Sequence, residues 1–484
     1  MTRLVVGPFN RVEGDLEVTL NVQGGRVASA QVNSPLFRGF EQILLGKDPR
    51  DALVYVPRIC GICSVSQSAA AARALADAMG IAPPPNGELA ANLVLATENL
   101  ADHFTHFYLF FMPDFARDAY AGRPWFGAAR ARFKAIEGSA ARDALPARAA
   151  FLHTLGILAG KWPHTLTLQP GGSARAVSAV EKIRLYALLR EFRGWLERHL
   201  FGDALEAIAA LDSVDALAAW QAARAPAASD FRLFLEIADA LALESLGRAT
   251  DRFLSYGNYP RGGTPLFASG VWQPGATAPE PVRFDRIAED ASHSWMADPT
   301  PRHPWRGDTR PDADRAGAYS WCKAPRLAGE VVECGALARQ AVDGHPLVRD
   351  LVARSGGNVA NRVVARLLEI ARVLPAMERW VRDLQPGEPF CNHGRLPDEA
   401  RGVGTVEAAR GSLGHWLVIQ KGRIANYQVI APTTWNFSPR DAGGTPGALE
   451  QALVGTPAGE NEAVPLAVQH VVRSFDPCMV CTVH

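Results

Sequence analysis

Charge of one sign is what the sequence most plainly lacks: 50 acidic residues balance 50 basic ones across 484 positions. The balance excludes the electrostatic footprint of a nucleic-acid binder or of a protein held on an anionic membrane, and leaves a small molecule or another protein as the partner. A secretory opening is missing as well. MTRLVVGPFNRVEGDLEV has no basic stretch followed by an apolar one and reads as a strand and turn. The longest helical apolar stretch, ELAANLVLATENLADHFTHFYLFFM over residues 88–112, carries Glu98, Asp102, His103 and His106 in its middle. That suits a buried helix of about 25 residues in a large core and excludes a transmembrane segment. Cysteines number seven, an odd count that does not make an extracellular disulfide framework. Metal binding or redox chemistry is the better use for them. Repeats and low-complexity tracts are absent.

What is present reads as a mainly α chain of the α+β class, with a large helical core, a central bundle of long helices and small β-hairpins toward both ends. GDLEVTLNV and RVASAQVN alternate apolar and polar residues about the turn QGG, and HWLVIQ and RIANYQVIA do so about KG. SVSQSAAAARALADAMG reads as an alanine-rich helix ended by Gly80, and helical periodicity marks VEKIRLYALLREFRGWLERHLFGDALEAIAAL, SDFRLFLEIADALALESLG and NRVVARLLEIARVLPAMERWVRDL. Residues from about 255 to 330 are rich in Gly, Pro and aromatics without period, and are expected to be irregular segments packed on the helices. One unit over 1–484 is expected, with a β region at 1–60, the helical core at 61–400 and a C-terminal region at 401–484 that ends in a metal-binding tail.

Two C-x-x-C pairs carry the chemistry. Cys60 and Cys63 lie in RICGICSVSQ, and Cys478 and Cys481 in the closing DPCMVCTVH. Thiols at a chain end are exposed to oxidation unless something holds them, and a metal would. On spacing alone, four thiolates read as structural zinc. Zinc ribbons, however, close within roughly 15 to 20 residues between pairs, and here nearly the whole chain intervenes. Soft thiolates also suit nickel and iron. Cys322, Cys334 and Cys391 stand alone and read as small buried apolar residues.

The paired motifs R-x-C-G-x-C and D-P-C-x-x-C-x-x-H resemble those of the large, catalytic subunit of nickel-iron hydrogenases. The resemblance runs through FNRVEGDLEV, SPLFRGFEQIL, GKWPHTLTLQPGG, YSWCKAPRLAGEVVECGALAR, EAARGSLGHW and NYQVIAPTTWNFSPRD. It implies reversible heterolytic cleavage of dihydrogen at a nickel-iron centre whose iron carries carbon monoxide and two cyanides. By motif position Cys60 and Cys478 would be terminal nickel ligands, and Cys63 and Cys481 would bridge to the iron. Glu13 would relay the proton, and Arg410 would act as base or stabilise charge at the metals. Thr433 would hydrogen-bond a cyanide, while Asp102 and Asp476 would orient Arg410. Glu41, His484 and a carbonyl near Ile430 would form a second, structural site for magnesium or iron. Iron–sulfur clusters would sit in a small partner subunit, in a heterodimer or a dimer of heterodimers.

Two positions depart from the usual motif. Gln67 stands where the family normally places a histidine, and Ala409 where a proline is usual. CGICSVSQ resembles the regulatory, hydrogen-sensing branch, which implies low turnover, a histidine kinase downstream and a cytoplasmic location. In that branch Ile62 and Phe110 could narrow a gas path. Most members are made with an extension beyond the final histidine that maturation proteins remove after nickel insertion; ending at His484 fits the sensor branch. The alternatives are a respiratory uptake hydrogenase feeding quinone or cytochrome, and a structural zinc subunit of a redox complex.

Overall fold

Alternation builds the first sheet. In the computed structural model, which describes residues 2–459 and 464–484, Glu17–Gln23 (β2) and Arg26–Asn33 (β3) form the expected hairpin, and Thr2–Val6 (β1) adds an antiparallel edge. Val18, Leu20 and Val22 point inward from β2, and Val27, Ala30 and Val32 from β3. A short helix, Phe40–Leu44 (α1), follows, and then the cysteine loop runs into Ser64–Met79 (α2), stopped by Gly80 in the left-handed region at φ 65°.

The alanines of α2 have a packing reason. The second sheet, Ala400–Ala408, Gly411–Gln420 and Arg423–Ile430, lays its first strand directly on this helix. A Cβ at Gly402 would lie 2.0 Å from the carbonyl oxygen of Ala74, and one at Gly404 1.9 Å from that of Ala70. Only glycine on the strand and small residues on the helix permit this approach.

Four long helices close a ring: Pro85–Thr105 (α3) packs on Ala140–Ala159 (α4), α4 on Ala179–Trp195 (α5), and both α3 and α5 on Val359–Asp383 (α6). This is the expected bundle. Ser178 and Glu181 form a capping box at the start of α5, and the Asn358 side chain accepts the Asn361 N–H at the start of α6. Regular α-geometry in α3 ends at Thr105, and the chain continues through a wider π-type turn over His106–Phe111 and a tighter 3-10 turn over Met112–Ala116. The expected helix of about 25 residues is therefore continuous in path but changes pitch.

The segment around 255–330 is more regular than its composition suggested. Phe253–Arg261 (β4) and Thr264–Trp272 (β5) make a third hairpin, and Ile287–Asp290 pairs with Ala324–Leu327. Sheet is thus not confined to the two ends of the chain. β4 is buried at successive positions, Phe253 to Ser255 among them, so no polar alternation marks it.

The two chain ends are tied together. Beyond the second sheet lie Pro432–Asn436 (α7), Leu466–Ser474 (α8) and Met479–Thr482 (α9). Arg473 of α8 donates to the Asn10 carbonyl at 3.0 Å and to Asp114 at 2.7 Å. The Met479 N–H donates to the Glu13 carbonyl at 2.7 Å. Among the described residues no helix is long and apolar enough to cross a membrane.

Candidate metal centre

The tail and the RICGIC loop meet. Cys60 closes a short 3-10 turn, Cys63 sits at the cap of α2, Cys478 at the cap of α9 and Cys481 inside α9. All four are buried, unpaired in disulfides, and offer sulfurs within 4.8 Å of one another. Cys60 Sγ lies 3.4 Å from Cys478 Sγ, Cys63 Sγ 2.9 Å from Cys481 Sγ, and Cys478 Sγ 3.2 Å from Cys481 Sγ. Hydrogen bonds from the neighbouring sulfurs pull the Cys60 thiol well below its ordinary range, while the same neighbours push Cys63 up and burial pushes Cys478 and Cys481 up. Four thiolates out of water and within 4.8 Å of one another would need a cation among them.

Arg410 and Glu13 flank the sulfurs. Arg410 is buried, donates from Nη1 to Asp102 at 2.8 Å, from Nη2 to the Asp476 carboxylate at 3.1 Å and from Nε to the Asp476 carbonyl at 2.9 Å. Burial pushes Asp102 up, while against the same burial Arg410, with His106 and Arg366, holds Asp476 down. Glu13 is half-buried beside Cys478, its backbone bridging to that residue. Burial and then the charge of Cys60 raise its pKa, with Arg410 and Arg38 opposing. Gly14 lets this segment lie against the tail, since a Cβ there would meet Val480 Cγ1 at 2.9 Å. Thr433 Oγ1 accepts the Cys478 N–H at 3.1 Å.

Gln67 is part of a chain of polar groups that ends on sulfur. Its Nε2 is 3.7 Å from Cys481 Sγ, its Oε1 is 2.9 Å from His415 Nε2, and His415 Nδ1 is 2.9 Å from the Tyr427 hydroxyl. Burial lowers the His415 pKa to about 3, so its ring is neutral and donates to Gln67 while accepting from Tyr427.

Behind the tail, His484 Nε2 is 3.0 Å from Glu41 Oε1, and His484 Nδ1 is 2.9 Å from the Cys481 carbonyl. Glu41 also accepts the Val429 N–H at 2.7 Å and bonds Thr309; Ile430, the next residue after Val429, is fully buried. Lys323 Nζ lies 3.5 Å from Glu41 and 2.9 Å from both Glu289 and Gln428 Oε1. Burial alone would raise Glu41, but Lys323 and His484 hold it down to about 2.

A family model described as nickel-dependent hydrogenase matches residues 38–120 and 142–484. The chain belongs to the nickel-dependent hydrogenase family. Over its whole length this hydrogenase is 30% identical to the periplasmic NiFeSe hydrogenase large subunit of Desulfomicrobium baculatum, 95% of which is covered. It is 28% identical to the uptake hydrogenase large subunit of Cupriavidus necator, again over its whole length and 95% of the relative. The solved Ni-Fe-Se hydrogenase of D. vulgaris Hildenborough has the same fold, with a TM-score of 0.85, 30% identity and both chains fully covered. The chain is the catalytic large subunit of a nickel-iron hydrogenase.

Around the sulfurs of this hydrogenase lie Glu13, Gln67, Asp102, Arg410, Thr433 and Asp476, and behind the tail Glu41, Ile430 and His484. The Ile62 N–H points to Cys60 Sγ, whereas Phe110 is half-buried with its carbonyl toward Arg11. Cys322, Cys334 and Cys391 lie elsewhere, their sulfurs against the backbone carbonyls of Lys323, Pro432 and Asn392. Sequence reasoning missed His415, Tyr427, Lys323, Thr309, Gln428 and Glu289, because each reads as an ordinary strand or loop residue. HWLVIQ and NYQVIA did carry His415, Tyr427 and Gln428 as polar positions on a buried sheet. A buried polar side chain needs a partner, and that was the signal available.

Proposed function

We propose that this large subunit cleaves dihydrogen heterolytically and reversibly at a nickel-iron centre held by Cys60, Cys63, Cys478 and Cys481, and that it does so as the hydrogen-binding part of a sensor. The observation that carries the ligand set is the convergence of four buried sulfurs, a soft donor set that needs a cation to be ionised together. When bound, the metal pair, with one carbon monoxide and two cyanides on the iron, supplies the Lewis acidity that polarises dihydrogen and the redox capacity for its electrons. Cys60 and Cys478 would be the terminal nickel ligands, with Cys63 and Cys481 bridging.

The remaining work belongs to the chain. Glu13, beside Cys478 and with a raised pKa, takes the proton and passes it toward solvent. Glu13→Gln is expected to keep nickel and iron in place but to stop deuterium exchange between D2 and water; unchanged exchange would remove Glu13 from the proton path. Arg410, fixed by Asp102 and Asp476, keeps positive charge at the sulfurs. Thr433, which already accepts the Cys478 N–H, has its own hydrogen to give to a cyanide. Glu41, His484 and the carbonyl of Ile430 would hold magnesium or ferrous iron. Glu41 and His484 present a carboxylate oxygen and an imidazole nitrogen 3.0 Å apart, a donor pair that suits such a cation.

Gln67 supports the sensor reading. Its amide lies against Cys481 in the place usually held by histidine, and Ala409 replaces proline beside Arg410, both in keeping with low turnover. Electrons would leave to a small subunit carrying iron–sulfur clusters, and a histidine kinase in the cytoplasm would read the state of the complex. Uptake respiration is the second reading, favoured by the C. necator relative's description as an uptake enzyme. Deleting the gene separates the two: the sensor reading, in which the complex controls hydrogenase gene expression, expects loss of hydrogen-dependent transcription. Lost growth with transcription intact would make this an uptake enzyme.

A further inference from the structure

Glu98, in the middle of α3, is a buried carboxylate that the chemistry above leaves unused. Its Oε2 accepts the Val65 N–H at 2.8 Å and the Trp162 indole N–H at 3.0 Å. Its Oε1 accepts the Ser66 N–H at 2.9 Å and the Ser66 hydroxyl at 3.1 Å, and the Ser64 hydroxyl reaches Oε2 at 3.4 Å. Every partner donates, as expected around an ionised carboxylate. Val65 and Ser66 are the second and third residues of α2, directly after Cys63 at its cap. Glu98 therefore takes backbone donors at the positive end of the helix that begins at a proposed metal ligand. The amides just before them go to sulfur instead, with Ile62 N–H and Cys63 N–H at 3.3 and 3.4 Å from Cys60 Sγ.

The other side of this arrangement is GKWPHTLT, residues 160–167. Trp162 donates to Glu98, the His164 N–H donates to Ser64 Oγ at 3.2 Å, and His164 Nδ1 is 2.9 Å from the Pro57 carbonyl. Pro57 before the cysteine loop, Ser64 after it and Glu98 behind it are thus tied to one short segment. An uncompensated helix end would draw electron density from the nearby thiolates; an anion on its amides cancels that pull.

We propose that Glu98 is a positioning residue for the Cys60–Cys63 pair, and that with Trp162 it sets how much electron density this loop delivers to the metals. The proposal rests on the four cysteines being the nickel-iron ligands. It predicts opposite effects for two substitutions. Glu98→Gln keeps the shape but removes the anion and turns an amide N–H₂ toward groups that also donate. Trp162→Phe keeps a ring but leaves the carboxylate with one donor fewer and its charge more concentrated.

The test is infrared spectroscopy of the purified complex with its small subunit, alongside metal analysis. Burial pushes Glu98 up to about 7 and loss of the Trp162 donor pushes it further, so spectra are compared on the alkaline plateau of a pH series, where the carboxylate is ionised in both proteins. Glu98→Gln is expected to move the carbon monoxide and cyanide bands to higher wavenumber, because less electron density reaches the iron. Backbone hydrogen exchange over residues 62–67 should also quicken. Trp162→Phe is expected to move the bands the other way and by less. Wild-type bands in both variants, or a displacement of both in the same direction, would overturn the proposal. If Glu98→Gln fails to load metal, Trp162→Phe decides alone, and unshifted bands there sink it. A wild-type complex without nickel, iron or these bands would instead overturn the ligand reading beneath it.

Discussion

The two cysteine pairs do the same job in one site, yet they are held in different ways. Cys60 and Cys63 stand at the head of a 16-residue helix packed against a sheet, and the amides after Cys63 are bound from behind by Glu98. Cys478 and Cys481 stand on a four-residue helix at the end of the chain. That helix is too short to persist unaided. It is held by individual contacts from distant parts of the sequence: Glu13 at the Met479 amide, Thr433 at the Cys478 amide, Thr434 at the Thr482 carbonyl, and His484 against Glu41. Arg38 links the pairs, donating to the Ile59 carbonyl on one side and the Val480 carbonyl on the other. One half is built mainly by secondary structure and the other by side-chain attachments, so single substitutions should disturb the second far more.

Substitutions in the tail can break this contrast. Cys481→Ala is expected to have the largest effect, abolishing nickel retention and hydrogen cleavage. In that variant hydrogen exchange should rise over residues 477–484 but stay slow over 64–79. Equal loss of protection in both segments would show that the two halves depend on the metal alike.

Asp114 comes next. It is buried, and against the effect of that burial His470, Arg473 and Arg11 hold it well below the usual carboxylate range. Through Arg473 it anchors α8, the helix that leads to the tail. Asp114→Asn strands buried charge and should cost about 3–5 kcal/mol of stability, read from denaturant unfolding. The sign of the pH dependence follows from the depressed pKa. The Asp114 contribution is complete above the ordinary value of 3.8 and is lost as pH falls below it. Acid should therefore loosen the tail in the wild type and add little to the loosening in Asp114→Asn.

Arg410→Lys keeps a charge but cannot hold Asp102 and Asp476 together, so deuterium exchange should slow by about 10²-fold with metals retained. His484→Ala should be the mildest, costing about 1–3 kcal/mol through the acceptors and donors it leaves unpaired and shortening nickel retention under a chelator.

Much of this was legible in the sequence, and for a physical reason. β2 and β3 bury one face only, so alternation announces them; α2 is marked by its alanines and by Gly80 at its end, and α6 by helical periodicity. The cysteines could be paired because C-x-x-C spacing is itself a chelating geometry. β4 was not legible: it is covered on both faces, and alternation is lost when both faces are buried. In the sequence Glu98 argues only against a membrane-spanning helix. Its partners lie 32–34 and 64 residues away, and nothing in α3 alone says which amides its carboxylate will meet. The same holds for Lys323 and Gln428 behind the tail, which acquire their meaning only beside Glu41.

Infrared spectroscopy of the purified complex, with and without hydrogen, tests the central claim most directly. If the RICGIC and DPCMVC halves close around a nickel-iron centre, bands from iron-bound carbon monoxide and cyanide are expected, and they should move when hydrogen is admitted. A complex with zinc on the four cysteines and no such bands would contradict the account.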